Sequence, residues 1–178
     1  MSSLKSIHVP HYTHEDYLQW EGRWELIHGI PYAMSPLPSL QHQRISGNIF
    51  SELQKELSSC KDCQALLPVD WKIADDIVVQ PDISVICHLA SGNYLQQAPV
   101  LIFEIFSPST KEKDKTVKYE LYEKAGVRYY VLVDPDIEKI FVYQLIGTEY
   151  HLIKNEFRER FSFQLDPCKV TVDFSTIW

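Results

Sequence analysis

The 178-residue sequence predicts a single α/β domain, a central mixed β-sheet with helices on both sides. Leu40 to Ser58 carries apolar residues at Ile45, Ile49, Leu53 and Leu57, four apart, with Phe50 beside them, which is the period of an amphipathic helix. Val78 to Ile86 and Val100 to Phe106 are apolar or β-branched almost throughout, as central strands covered on both faces should be. The alternation of the two kinds of segment, roughly α-β-β-α-β-β-β-α-β-β, completes the expectation.

Taken in order, Thr13 and Asp16 ahead of Tyr17, Leu18 and Trp20 read as a short capped helix that ends at Gly22. Trp24 to Ile27 and Pro31 to Met34 are strand candidates on either side of a His28-Gly29 turn. The Pro-rich loop Ser35 to Ser39 leads into the long helix. Beyond it, Val69, Trp71 and Ile73 alternate with Asp70, Lys72 and Ala74, marking a half-buried strand. Ser109-Thr110-Lys111-Glu112 can act as a capping box for a helix running to Ala125, with Gly126 as its stop. Val127 to Val133 is a further buried strand, Asp134-Pro135-Asp136 a turn, and Ile140 to Ile146 another strand. His151 to Ile153 and Phe161 to Leu165 are expected as shorter peripheral strands.

Composition narrows the function. Apolar residues make up 45%, charged residues 23% and aromatics 12%, values of a folded globular chain without repeats or low-complexity tracts. Seventeen basic against 24 acidic residues give a net charge of −7, so the chain lacks the basic field that favours unspecific polyanion binding. No apolar run approaches the ~18 to 20 residues of a membrane span, and the first residues show no signal-peptide pattern; the expected location is cytoplasmic, with no membrane partner. Thiols are expected to stay reduced there. Of Cys60, Cys63, Cys87 and Cys168 only the first two form a C-x-x-C pair, which follows a helical pattern, and the four are expected to be incidental.

Two acids stand out. Asp82 and Glu104 each interrupt an apolar strand, and a buried carboxylate is costly unless paired or bound to a cation. Asp82 follows Pro81, a residue of strand edges, bends and ends. The interval to Glu104 accommodates a strand, a loop and a return strand, so the two carboxylates can meet at adjacent positions and form a hard-oxygen site for Mg2+ or Mn2+. In the following helix Asp114 and Lys118 are four apart, on the face defined by Val117, Leu121, Tyr122 and Ala125. A lysine delivered there could orient water and stabilise charge developing on phosphorus.

Gln80-Pro81-Asp82, Glu104 to Thr110, and Asp114-x-x-x-Lys118-x-x-x-Tyr122 followed by Ala125-Gly126-Val127 resemble the PD-(D/E)XK restriction-endonuclease-like superfamily, and within it the Uma-type family. Glu25-Leu-Ile-His-Gly, Met34-Ser-Pro-x-Pro and His42-Gln-Arg-Ile-Ser extend the likeness, which covers about residues 12 to 145. The resemblance implies a restriction-endonuclease-like fold and metal-dependent hydrolysis of phosphodiester bonds, foremost in DNA. It implies Asp82 and Glu104 as metal ligands, with the Ile105 carbonyl as a further one, and Glu25, near the end of the first helical region, as an additional acid facing the site. The superfamily's lysine slot, two residues after the second acid, is Phe106, so Lys118 would replace it. His28 stands where the family commonly has Asp.

Each residue also has a plainer reading. Asp82, Glu104 and Lys118 could form an inert ion network, Asp114 and Lys118 an exposed pair, and His42 and Arg44 ordinary helix-surface positions. Lys111, Lys113 and Lys115 begin a solvated helix or grip a nucleic-acid backbone locally. The alternative function is a non-catalytic interaction or nucleic-acid-binding module retaining the nuclease fold. Two acids also serve glycoside hydrolases, but there one carboxyl needs a raised pKa, which a neighbouring lysine opposes. Phe141, Tyr143, Phe161, Phe163 and Trp178 suit a homodimer interface, and core packing accounts for them equally.

Overall fold

The apolar run predicted as one strand from Val78 to Ile86 is two strands in two different sheets, broken at Gln80-Pro81-Asp82, and this break organises the molecule. The structure is a computed structural model that describes residues 9–34, 38–156 and 158–178. Residues 35–37, most of the Pro-rich loop and part of the Met34-Ser-Pro-x-Pro motif, lie outside the described residues, as do the first eight residues.

The chain begins with α1 (His14–Tyr17), capped by Thr13 and Asp16 in a reciprocal box, and the hairpin β1 (Trp24–Ile27) and β2 (Ile30–Ala33). Ile27 faces Ile30 across a two-residue turn in which His28 and Gly29 both have positive φ, 51° and 72°. This left-handed geometry favours Asn, Asp or Gly, which explains why an aspartate suits the position His28 occupies. Glu25 is therefore a strand residue of β1, not the end of a helix. The helix α2 (Leu40–Leu57) follows, with the Ser39 hydroxyl accepting from His42 N at 3.1 Å.

Next come β3 (Cys63–Leu66), β4 (Trp71–Ala74), β5 (Ile77–Val79), β6 (Ile83–Cys87) and β7 (Leu101–Ile105). The single helix expected after β7 is divided at Thr116 into α3 (Lys111–Lys115) and α4 (Val117–Lys124). The chain ends in β8 (Tyr129–Asp134), β9 (Lys139–Ile146), β10 (Glu149–Glu156) and the hairpin β11 (Arg160–Gln164) and β12 (Lys169–Asp173).

The main sheet has six strands in the order β10-β9-β8-β7-β6-β3. It is mixed: β7 and β8 run parallel, joined through α3 and α4, and the other neighbours are antiparallel. Every residue of β6, β7 and β8 is buried, as their continuous apolar character requires. Ile45, Ile49, Leu53 and Leu57 of α2 cover one face together with Phe163, Val170 and Val172 of the terminal hairpin. Leu121 and Tyr122 of α4 cover the other, beside Trp71, Ile77 and Val79 of a smaller sheet ordered β2-β1-β5-β4. The α/β architecture with helices on both faces is thus the predicted one. The C-terminal aromatics are engaged within the chain: Phe163 is fully buried, and Phe141, Tyr143, Phe161 and Trp178 pack against the two cores. Among the described residues no helix is long and apolar enough to cross a membrane.

Two features differ from expectation at the far end of the main sheet. The four cysteines, expected to be reduced and incidental, are paired: the fold brings Cys60 to Cys168 and Cys63 to Cys87 as disulfides. Cys60 and Cys168 are 108 residues apart in sequence, so only the fold reveals the pairing.

A buried carboxylate–lysine centre

Pro81 has no N–H, and the two backbone N–H groups that flank it are released from any strand ladder as the chain passes from the small sheet to the large one. Both turn to glutamates. Gln80 N donates to Glu25 Oε1 at 3.1 Å, and Asp82 N donates to Glu104 Oε2 at 3.3 Å. The proline therefore does more than end a strand: it sets the junction at which β1, β6 and β7 bring their acids together.

Asp82 immediately precedes β6, whose Ile83 pairs with Phe103 of β7, so Asp82 sits beside Glu104. Its Oδ2 accepts from Ile105 N at 2.8 Å and bonds His42 Nε2 at 3.1 Å. The N-terminal part of α2 thus contributes His42 to this centre, where a surface role was the simple expectation.

Lys118 enters from α4 and is 2% exposed. Its Nζ lies 2.9 Å from Glu25 Oε1, 2.9 Å from Glu104 Oε1 and 3.6 Å from Asp114 Oδ1. The Asp114–Lys118 pair is consequently buried, not the exposed i,i+4 pair that such spacing often gives. Tyr122, one turn further along α4, donates its hydroxyl to Glu104 Oε1 at 2.8 Å, and its ring rests on Trp71 and Tyr130. Lys113 of α3 forms an ion pair with Glu25 Oε2.

The four predicted site residues, Glu25, Asp82, Glu104 and Lys118, therefore belong to one connected cluster. His42, Lys113, Asp114 and Tyr122 complete it. The Asp114-x-x-x-Lys118-x-x-x-Tyr122 spacing already carried a signal for two of these, since residues four apart share a helix face. His42 opens a motif of the family resemblance and Lys113 lies in a lysine run, but their partners, at sequence separations of 40 and 88 residues, could not be read locally.

Electrostatics divides the carboxylates. Burial would raise the Glu25 carboxyl, but Lys118 and Lys113 outweigh it and hold it at about 2. Glu104 goes the other way: burial, with Asp114, Asp82 and Glu25 nearby, pushes it well above the usual carboxylate range despite Lys118. Burial also raises Asp114. Lys118 is buried, which would lower its pKa, but Glu104, Glu25 and Asp114 raise it well above an ordinary lysine and keep it charged. Burial disfavours the charged form of His42, yet the bond to Asp82 raises its pKa overall.

Solvent reaches the cluster through Asp82, Lys113 and His42, whose side chains are 20%, 17% and 12% exposed. The neighbouring lysines are mostly committed within the chain. Lys111 pairs with Asp134 at 2.8 Å, and the ammonium groups of Lys111 and Lys115 lie over the Phe106 ring, 5.2 and 5.1 Å from its centroid. Phe106 is thus a buried platform for two cations.

A mixed sheet with acids at the junction of neighbouring strands, and a lysine delivered from the crossover helix, defines a nuclease-like α/β protein. The chain belongs to the Uma2 family, whose description is "Putative restriction endonuclease" and which matches residues 14–168. Among solved structures it is similar to a "putative nuclease belonging to DUF820" from Anabaena variabilis ATCC 29413, with a TM-score of 0.75 and 20% sequence identity over 93% of this chain and 96% of that one. That likeness is one of fold. None of the curated proteins matches the chain.

Proposed function

We propose that the protein is a metal-dependent endonuclease that hydrolyses phosphodiester bonds in DNA, with Asp82 and Glu104 as ligands of Mg2+ or Mn2+. The observation that carries this reading is a concentration of carboxyl groups: Glu25, Asp82, Glu104 and Asp114 meet around Lys113 and Lys118, and burial, with their mutual repulsion, pushes Glu104 and Asp114 upward, a strain that a divalent cation relieves. The donor set consists of carboxylate oxygens, the class a hard divalent cation takes. Asp114 Oδ1 is buried without a hydrogen-bond partner, and Asp82 keeps part of its carboxylate at the surface, so the residues fit such an ion. The Ile105 carbonyl, at the end of β7, remains a candidate further ligand. When bound, the cation supplies Lewis acidity at the phosphoryl oxygen and a more acidic water.

The chain's own residues divide the remaining work. Glu25 and Glu104 hold Lys118 charged beside the ligands. To orient water, Lys118 must exchange one carboxylate partner for it, and Asp114, at 3.6 Å, is the loosest of the three. His42 fixes one Asp82 oxygen and leaves the other free to bind. The overall charge of −7 disfavours broad DNA affinity, and a divalent cation offsets part of it where a phosphate must approach.

One observation favours the second reading, a non-catalytic binding module: the Lys118 ammonium lies 2.9 Å from both Glu25 and Glu104 and 3.6 Å from Asp114, which suffices for a structural ion network. Incubation with single-stranded, double-stranded and structured DNA in Mg2+ or Mn2+ separates the two. Cleavage that is lost in Asp82→Ala supports the nuclease; cleavage unchanged in that variant overturns the assignment.

A further inference from the structure

At the opposite end of β6 from Asp82, roughly 16 Å away by strand rise, all four cysteines of the chain converge. Cys60 lies in the turn that follows α2, Cys63 opens β3, Cys87 closes β6 directly opposite Cys63, and Cys168 sits in the β11–β12 connection, where Leu165 N donates to Cys168 O at 2.7 Å. These positions come from the end of α2, the edge of the main sheet and the terminal hairpin. Two independent disulfides need no common meeting point, yet the sulfurs of Cys60, Cys63 and Cys168, drawn from both pairs, lie within 4.8 Å of one another, and Cys87 is bonded to Cys63.

We propose that the reduced chain binds one Zn2+ through the thiolates of Cys60, Cys63, Cys87 and Cys168. A tetrahedral site with Zn–S bonds of about 2.3 Å has sulfurs ~3.8 Å apart; Cys60, Cys63 and Cys168 already lie within 4.8 Å of one another, and Cys87, released from Cys63 on reduction, must turn in as the fourth ligand. The ligand pattern, one C-x-x-C and two single cysteines brought in by tertiary structure, matches the number that a closed structural site requires. A surface cleft of about 430 Å3, lined by Cys60 and Cys168 with Lys61, Asp62 and Lys169, gives the cation a route in.

The disulfide and zinc forms interconvert with a thiol reductant, RSH. Two disulfides, four RSH and Zn2+ give the four-thiolate zinc centre, two RSSR and four protons; each S–S bond takes two electrons from the reductant, and the thiols lose their protons as the metal binds. In the disulfide form Cys60–Cys168 ties the end of α2 to the terminal hairpin and Cys63–Cys87 ties β3 to β6, whereas the zinc form would join all of these at one point, far from the carboxylates.

The test uses the full chain, reduced with a phosphine and dialysed against limiting Zn2+ or Co2+ without oxygen. One zinc per chain by mass spectrometry, and a tetrahedral Co2+ spectrum with sulfur-to-metal charge transfer, are expected. Cys87→Ser and Cys168→Ser should each weaken Co2+ binding at least tenfold, with circular dichroism reporting whether they fold. Four titratable thiols with no retained zinc, a Co2+ spectrum lacking the thiolate bands, or unchanged affinity in a folded Cys168→Ser chain would each overturn the proposal. The Co2+ spectrum of the unmutated protein decides the matter if a variant does not fold.

Discussion

Lys118 Nζ lies 2.9 Å from Glu25 Oε1, with neither side chain more than 2% exposed, so the crossover helix is fastened to the first strand of the small sheet by a charge pair shut away from water. Such a pair adds little over an apolar contact, but breaking it leaves an uncompensated buried charge. In Lys118→Met, Glu25 and Glu104 lose their common cation, and a loss of about 3 to 5 kcal/mol at neutral pH is expected from urea denaturation. Because the stranded carboxylates can take up protons, the deficit should shrink as the pH is lowered. A variant as stable as the parent at pH 7 would mean that the cluster does not depend on this lysine.

Tyr122 offers a finer probe of the same acid. Its hydroxyl donates to Glu104 Oε1 at 2.8 Å, while its ring is fixed independently by Trp71 and Tyr130. Tyr122→Phe keeps the ring and removes one donor to a buried carboxyl group whose raised pKa favours the neutral form, a change expected to cost about 0.5 to 1.5 kcal/mol and more where Glu104 is charged. Denaturation of the pair of proteins under the same buffer measures it. No measurable cost would mean that this hydroxyl does not stabilise the Glu104 carboxyl in the folded chain.

The pH dependence of stability follows from Glu25. Its carboxyl is held at about 2 against an ordinary value of 4.5. A depressed acid contributes stability that is complete above the unfolded value and is lost as the pH falls through the folded one. The contribution of roughly 3 kcal/mol should therefore disappear between about pH 4.5 and pH 2. Glu104, with its raised pKa, acts with the opposite sign, so the useful quantity is the difference between parent and Glu25→Gln. That difference should be constant from pH 7 to about pH 5 and narrow below it; parallel stability curves through the acid range would contradict the Glu25–lysine coupling.

The residues readable in the sequence were those that broke a local pattern. Asp82 and Glu104 interrupt apolar strands, and Lys118 lies on the apolar face of its helix, so each posed a burial problem that only a partner could solve. Glu25 came from the family resemblance; its place on β1, and its bond from the backbone freed at Pro81, depend on the junction of two sheets. The same junction divided the run from Val78 to Ile86, because a proline inside an apolar stretch is compatible with either a bend or a change of sheet. Thr116 similarly divides the crossover helix without a Gly or Pro to announce it. The contacts of His42, Lys113 and the cysteines were not readable for a common reason: although the residues stand out in the sequence, most of their partners lie far away in the chain, and local periodicity holds no record of such pairs.

The excess of carboxylates over lysines makes a last prediction, on metal binding in the absence of nucleic acid. If Asp82 and Glu104 ligate the cation, a divalent ion binds the folded chain and not the unfolded one, and stability rises with its concentration by mass action. Mg2+ at about 100 times its dissociation constant should add about 2.7 kcal/mol, seen as an increase in thermal midpoint. Asp82→Asn removes a ligand at the edge of the cluster, where its side chain is 20% exposed, so the variant should fold but lose the response. Lys118→Met should keep the response and gain more from it than the parent, because the cation would replace part of the missing positive charge. Equal midpoint shifts in the parent and in Asp82→Asn would locate the bound metal elsewhere and remove the principal support for a hydrolytic centre at this junction.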